Sequence, residues 1–123
     1  MIGYITLGTN DMDQMTSFYD SLFKEMGVSR VFDLETFVAW GSGKGSPAFA
    51  VTQPFDGNPA TVGNGVMIAL AAKSTDAVDA LHAKALTLGA KNEGDPGVRR
   101  GVFYCAYFRD LEGNKLNFFC LVK

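Results

Sequence analysis

One histidine, two cysteines, four prolines and one tryptophan are all that this chain of 123 residues holds of those types. A nucleophile of the Ser-His-Asp or Cys-His kind needs an imidazole beside it. The lone His82 follows apolar Leu81 in the middle of a helical pattern and is expected at the surface. No triad can be built around it. Cys105 and Cys120 are too far apart for CxxC spacing, so they read as reduced core or strand residues of a cytoplasmic protein. No apolar run approaches the roughly 18 residues of a membrane span. The N-terminus lacks a positive region followed by an apolar block, so no signal peptide is expected. Positive charge is not in excess either. Eleven Lys and Arg stand against 13 Asp and Glu, for a net charge of −2. Without a basic stripe to neutralise phosphates, a nucleic-acid partner is not expected.

What is present is the material of a folded domain. Apolar residues make up 47% and charged residues 20%, the balance of a soluble globular chain with its own core. Residues 3–9, "GYITLGT", are β-branched and apolar and read as a strand. Asp11 is a good helix N-cap, because its carboxylate accepts from free amide hydrogens of the first turn. Met12, Met15, Phe18, Tyr19, Leu22, Phe23 and Met26 then recur at steps of three and four, the pattern of one buried helix face. Gly27 suits a left-handed helix end. "RVFDLE", "TFVAWG" and "PAFAVTQ" follow as three short strands.

Residues 53–65, "QPFDGNPATVGNG", form a linker of turn residues. The order then restarts. "VMIALAA" (66–72) reads as a strand, and Ser74 or Thr75 caps a helix with Asp76 in its first turn. Val78, Leu81, Ala85 and Leu88 give that helix its apolar face, and Gly89 ends it. "KNEGDPGVRRG" reads as a glycine-rich loop, and "VFYCAYF" and "KLNFFCLV" as closing strands. Asp11 falls on Ser74, Phe18 on Leu81 and Gly45 on Gly113. The expected fold is therefore α+β. Two βαβββ modules, residues 1–52 and 66–123, form a curved mixed sheet around a trough; a single sandwich without internal symmetry is the alternative. By strand alternation Tyr4, Thr6, Met67 and Ala69 face the trough, with Asn117 and Phe119 sharing a side of the last strand.

The opening "GYITLGTNDMDQMTSFYDSLF", the segment "GNGVMIALAAKSTDAVDALHAKALTLGA" and the hairpin "YFRDLEGNKLNFF" together resemble the vicinal oxygen chelate superfamily. That superfamily includes glyoxalase I, extradiol dioxygenases and the fosfomycin and bleomycin resistance proteins. The resemblance implies a divalent metal in the trough, held by His, Glu or Gln from equivalent strand positions. Here those positions fall on Tyr4, seven before its helix cap, and Met67, seven before Ser74. They fall also on Phe49, four after Gly45, and Asn117, four after Gly113. Tyrosine is a poor ligand while protonated. Methionine suits soft ions, phenylalanine has no lone pair, and asparagine offers one neutral carbonyl. No metal cofactor is expected.

The trough lining, Tyr4, Thr6, Phe49, Met67, Ala69, Asn117 and Phe119, describes either a small-molecule pocket or side chains that simply fill the space. Arg99 and Arg100 form either a guanidinium grip for an anion or a solvated loop face. Glycines 94, 97 and 101 make that loop a candidate lid. Asp33 and Glu35 read as hairpin-end charges. "GSGKGS" (41–46) lacks phosphate-loop spacing. Two functions follow. One is a metal-free binder of a small apolar or aromatic ligand, similar to the bleomycin-resistance branch. The other is a lyase, isomerase or dioxygenase of lactoylglutathione-lyase or related type, with an atypical metal site or Tyr4 as acid or base. The resemblance also implies a homodimer.

Overall fold

Asp11 sits in extended backbone and its carboxylate accepts from the Gln14 amide at 3.0 Å, so the first helix starts where the sequence places it. The structure, a computed structural model, describes residues 1–122. The chain divides into two units, Met1–Val62 and a second beginning at Gly63. In the first the order is β1 (Tyr4–Gly8), α1 (Met12–Lys24), β2 (Ser29–Leu34), β3 (Phe37–Gly41) and β4 (Ala48–Thr52). In the second it is β5 (Ile68–Ala71), α2 (Thr75–Thr87), β6 (Lys91–Arg99), β7 (Phe103–Arg109) and β8 (Lys115–Leu121). Each unit is βαβββ, and the class is α+β, as the sequence leads one to expect.

The first sheet has the order β1-β4-β3-β2, with β1 parallel to β4 and the other pairs antiparallel. One face of this sheet carries the core. Met15, Phe18, Tyr19, Leu22 and Phe23 of α1 are buried, with Val38, Trp40, Phe49 and Val51 from the strands. Tyr19 lies 4.7 Å from the Phe49 ring and 5.8 Å from Trp40, and Phe23 lies 5.1 Å from Phe49. Gly27 at φ +70° ends the helical region, and the Val28 amide bonds back to Phe23 O at 3.0 Å. The segment after β4 is tied to this unit, since Asn10 Oδ1 accepts from the Ala60 amide at 2.7 Å.

A polar latch closes the edge of that core. Arg30 donates two hydrogen bonds to Asp20, at 2.9 and 2.7 Å, and the Trp40 indole N–H donates to the same carboxylate at 2.8 Å. The Arg30 hydrogen bonds, helped by Trp40, hold the Asp20 carboxyl below its usual value against the opposing effect of partial burial. A carboxylate with a depressed folded pKa adds stability that is complete above the unfolded value, near 4, and is lost as pH falls through the folded value. Both partners are partly solvated, so the ion pair is held to about 1 kcal/mol or less. Asp20→Asn is therefore expected to be less stable than the parent at pH 7, with a smaller gap at pH 3. Urea unfolding at the two pH values measures this. A gap that widens in acid contradicts the assignment.

The second sheet has the order β5-β8-β7-β6, again with one parallel pair, β5 with β8. Ser74 caps α2 by accepting from the Ala77 amide at 3.1 Å. Val78, Leu81 and Ala85 pack with Leu116, Phe118, Ala106 and Phe108 as the buried layer.

Two expectations fail in this unit. The "KNEGDPGVRRG" segment is no loop over most of its length. Residues 91–99 are edge strand β6, with register shifts between Asn92 and Gly94 and between Gly94 and Gly97. Pro96 and the glycines are turn formers by propensity, yet an edge strand tolerates a proline and uses glycine at bulges. His82 is not at the surface but 4% exposed. Its Nε2 lies 3.2 Å from Asn92 Oδ1 and 3.1 Å from Tyr107 O. Both neighbours are acceptors, so Nε2 carries the proton and serves as a structural pin among α2, β6 and β7.

Candidate functional site

The open face of the second sheet follows from its register. Asn117 pairs with Ala69 on one side and Tyr107 on the other, and Tyr107 pairs with Gly94. The next row runs Ala71, Phe119, Cys105 and Gly97. Phe103 and Arg99 pair beyond it. Side chains alternate along each strand, so these positions share one face, and Leu116, Phe118 and Phe108 share the other, toward α2.

This face holds a pocket of about 300 Å³ lined by Met67, Ala69, Arg99, Arg100, Phe103, Cys105, Tyr107, Asn117 and Phe119. Small residues on either side of the Asn117–Tyr107 row leave room for it. The walls are aromatic and sulfur-bearing. Phe103 and Phe119 meet edge to face at 6.3 Å. The floor contains one polar exception. Asn117 is 4% exposed, and its Oδ1 is buried without a hydrogen-bond partner among the described residues. Orphaned buried acceptors of this kind cost about 1–3 kcal/mol and point to an unfilled role.

Arg99 lies back along β6. Its Nη2 donates to Asp95 O at 2.6 Å, and its guanidinium carbon sits 5.6 Å from the Tyr107 ring centre. Lys115 Nζ is 5.4 Å from the same ring. The bare backbone of β6 makes this possible. A Cβ on Gly97 would stand 2.9 Å from Arg99 Nη1, and one on Gly94 would stand 3.0 Å from Tyr107 Cδ1. Arg100 is in the left-handed region at φ +52°, with Gly101 after it at φ +72°. Both central residues of the β6–β7 turn thus have positive φ, a geometry that favours Asn, Asp or Gly at the place arginine holds. Strain of this sort costs about 1–3 kcal/mol and concentrates at ligand clamps. Among the described residues neither Arg99 nor Arg100 is in a salt bridge.

A family model of the Glyoxalase/Bleomycin resistance protein/Dioxygenase superfamily matches residues 1–118. The chain belongs to this superfamily. Its structure is similar to that of a glyoxalase/bleomycin resistance protein from Albidiferax ferrireducens T118, with 31% identity, 97% of each chain covered and a TM-score of 0.87. It also resembles a glyoxalase/bleomycin resistance protein/dioxygenase family enzyme from Burkholderia phytofirmans PsJN, at 18% identity, 98% of each chain and TM-score 0.78. A glyoxalase-related enzyme from Fulvimarina pelagi aligns at 17% identity over 97% of this chain and 86% of its own, with TM-score 0.78. These two show the shared fold. No curated protein matches the chain.

Of the ligand-binding candidates the sequence singles out, Met67, Ala69, Asn117, Phe119 and Arg100 come together in the pocket of the second unit. Tyr4 and Thr6 are on the open face of the first sheet. Tyr4 is exposed, meets Phe37 edge-on at 6.2 Å, and lines a separate, almost wholly apolar groove with Phe32, Phe37 and Ala48. Phe49 is a correction. It lies on the helix side, buried against Tyr19, Phe23 and Trp40. The loop from Gly41 to Ala48 is one residue longer than its counterpart from Arg109 to Lys115, so counting from the turn glycine slips by one, and a slip of one flips the face. The true counterpart of Asn117 is Ala50, which pairs with Thr6 and Ala39 as Asn117 pairs with Ala69 and Tyr107.

Tyr107, Phe103 and Cys105 also line the pocket, and the sequence alone does not single them out. Their alternation within "VFYCAYF" was visible, but which parity faces the pocket depends on pairing across the 110–114 turn. There Asp110 accepts from the amides of Glu112 and Asn114 and sets the register.

Among the described residues, the positions matched to the superfamily's metal ligands are poor donors for a divalent ion. Tyr4, Ala50, Met67 and Asn117 supply a phenol, a methyl, a thioether and a carboxamide. Among the described residues there is no group of three or more His, Cys, Asp or Glu that could hold a metal. Two guanidinium groups also border the pocket of the second unit, where they oppose a second positive charge. Hard and borderline ions want anionic oxygen or imidazole.

Proposed function

We propose that this chain is a small-molecule binder of the superfamily that has lost its metal ligands. Its ligand site is the open face of the second sheet. Guanidinium and carboxamide groups orient the guest there, in place of a divalent ion. The unpartnered Oδ1 of Asn117, buried beneath an apolar pocket that this residue lines, carries this reading. A pocket lined by apolar side chains with a few placed polar groups is the usual form of a small-molecule site. Met67 adapts its shape to a guest, and the Phe119 and Phe103 rings offer edges and faces to a flat one.

The test has two arms. Elemental analysis of purified protein is expected to find no stoichiometric manganese, iron, nickel or zinc. A library of small aromatic fragments, followed by amide and side-chain NMR shifts, is expected to yield binders that move the Asn117 side-chain amide and the Tyr107 backbone. A tightly held divalent ion coordinated by residues of this chain overturns the metal-free reading. Fragments that map only elsewhere overturn the site.

A further inference from the structure

We infer that the ligand of this pocket is a planar aromatic carboxylate that also carries an O–H or N–H donor. The inference rests on the binding-site reading above and adds the ligand's charge and polarity. Two positive groups, Arg99 and Arg100, border a pocket that has no carboxylate in its lining. Neither charge is neutralised by a salt bridge among the described residues. Unpaired guanidiniums at an apolar pocket match an anion, and their fork matches the two oxygens of a carboxylate. Arg99 has one nitrogen committed to Asp95 O. Its Nη1 lies over the bare Gly97 position, so the group is held in place before a ligand arrives. Arg100 is held at the turn in a backbone conformation that arginine rarely adopts. At the floor, Asn117 Oδ1 is an acceptor with nothing to accept. The complementary guest therefore has an anion at the arginine end, a flat ring beside Phe119, and a hydrogen-bond donor directed at Asn117.

The probes are 4-hydroxybenzoate, which has all three features, benzoate, which lacks the donor, 4-hydroxybenzamide, which lacks the charge, and inorganic phosphate. Dissociation constants come from NMR titration. The acid is expected to bind roughly 10-fold or more tighter than the amide, since charge-assisted hydrogen bonds are worth that much. Benzoate is expected to fall between them. Arg100→Gln and Arg99→Gln are each expected to weaken the acid about 10-fold and leave the amide unchanged. Gly97→Ala displaces the Arg99 guanidinium without altering charge. It is expected to erode the preference for acid over amide while both probes still bind, which a merely structural role for Gly97 does not predict. Equal affinity for acid and amide, with the arginine variants unaffected, overturns the carboxylate inference and leaves the pocket standing. Phosphate that binds as tightly as the acid and displaces it also overturns it, in favour of a general oxyanion site. No binding of any aromatic probe at this face overturns both inference and pocket.

Discussion

Asn117→Leu is expected to unfold at higher denaturant than the parent and to bind 4-hydroxybenzoate no more tightly than benzoate. The parent buries an amide oxygen with no partner, which costs about 1–3 kcal/mol. Leucine is of similar size and places an apolar group among Ala69, Tyr107 and the neighbouring rings. The gain in stability is expected at about 1–2 kcal/mol, or several degrees in melting temperature for a domain of this size. The same change removes the acceptor that orients the guest. Higher stability with weakened binding is the pattern of a site that holds strain for function. Urea unfolding and NMR titration with 4-hydroxybenzoate measure the two halves. A variant that is less stable and binds as before shows that Asn117 is satisfied in solution and is core rather than site.

Trp40→Ala is expected to cost the first unit about 3–5 kcal/mol, a large share of the 5–15 kcal/mol typical of a whole domain. Trp40 is 1% exposed and touches Tyr19, Phe23 and Phe49. Its loss opens a cavity in the layer between α1 and the sheet. It also removes the indole donor to Asp20 and the ring lying 5.9 Å from the Arg30 guanidinium carbon. Trp40→Phe keeps much of the packing but not the donor, and is expected to fall between the two. Equilibrium unfolding followed by circular dichroism gives the ranking. Equal stability of the alanine and phenylalanine variants contradicts a packing origin.

Helices and central strands were plain in the sequence because burial writes a period into it. The α1 stripe from Met15 to Phe23 is core, and both caps, Asp11 and Ser74, stand where helix ends need an acceptor. Strand β6 was hidden because an edge strand at a bulge tolerates Pro96 and Gly97, residues that alone spell a turn. His82 is hard to place from sequence because apolar Leu81 beside it already marks the buried face. The burial extends one residue further, where polar acceptors on β6 and β7 meet the imidazole. Phe49 was misplaced because a turn glycine is a poor origin for counting. Asn117, Phe119, Met67 and Ala69 were legible as a set, since each pair follows from alternation within a single strand. Tyr107 and the seating of Arg99 were not, because both depend on cross-strand register and on the missing side chains of Gly94 and Gly97.

The surplus residue between β3 and β4 stays in its connection, so the two sheets correspond strand for strand and not turn for turn. An engineer who wished to copy the second sheet's recognition chemistry onto the first would have to install asparagine at Ala50, whose Cβ already faces the open side, and would ruin the aromatic core by choosing Phe49. Two βαβββ units whose connections differ by one residue are thus interchangeable parts only when matched by hydrogen-bonded rung.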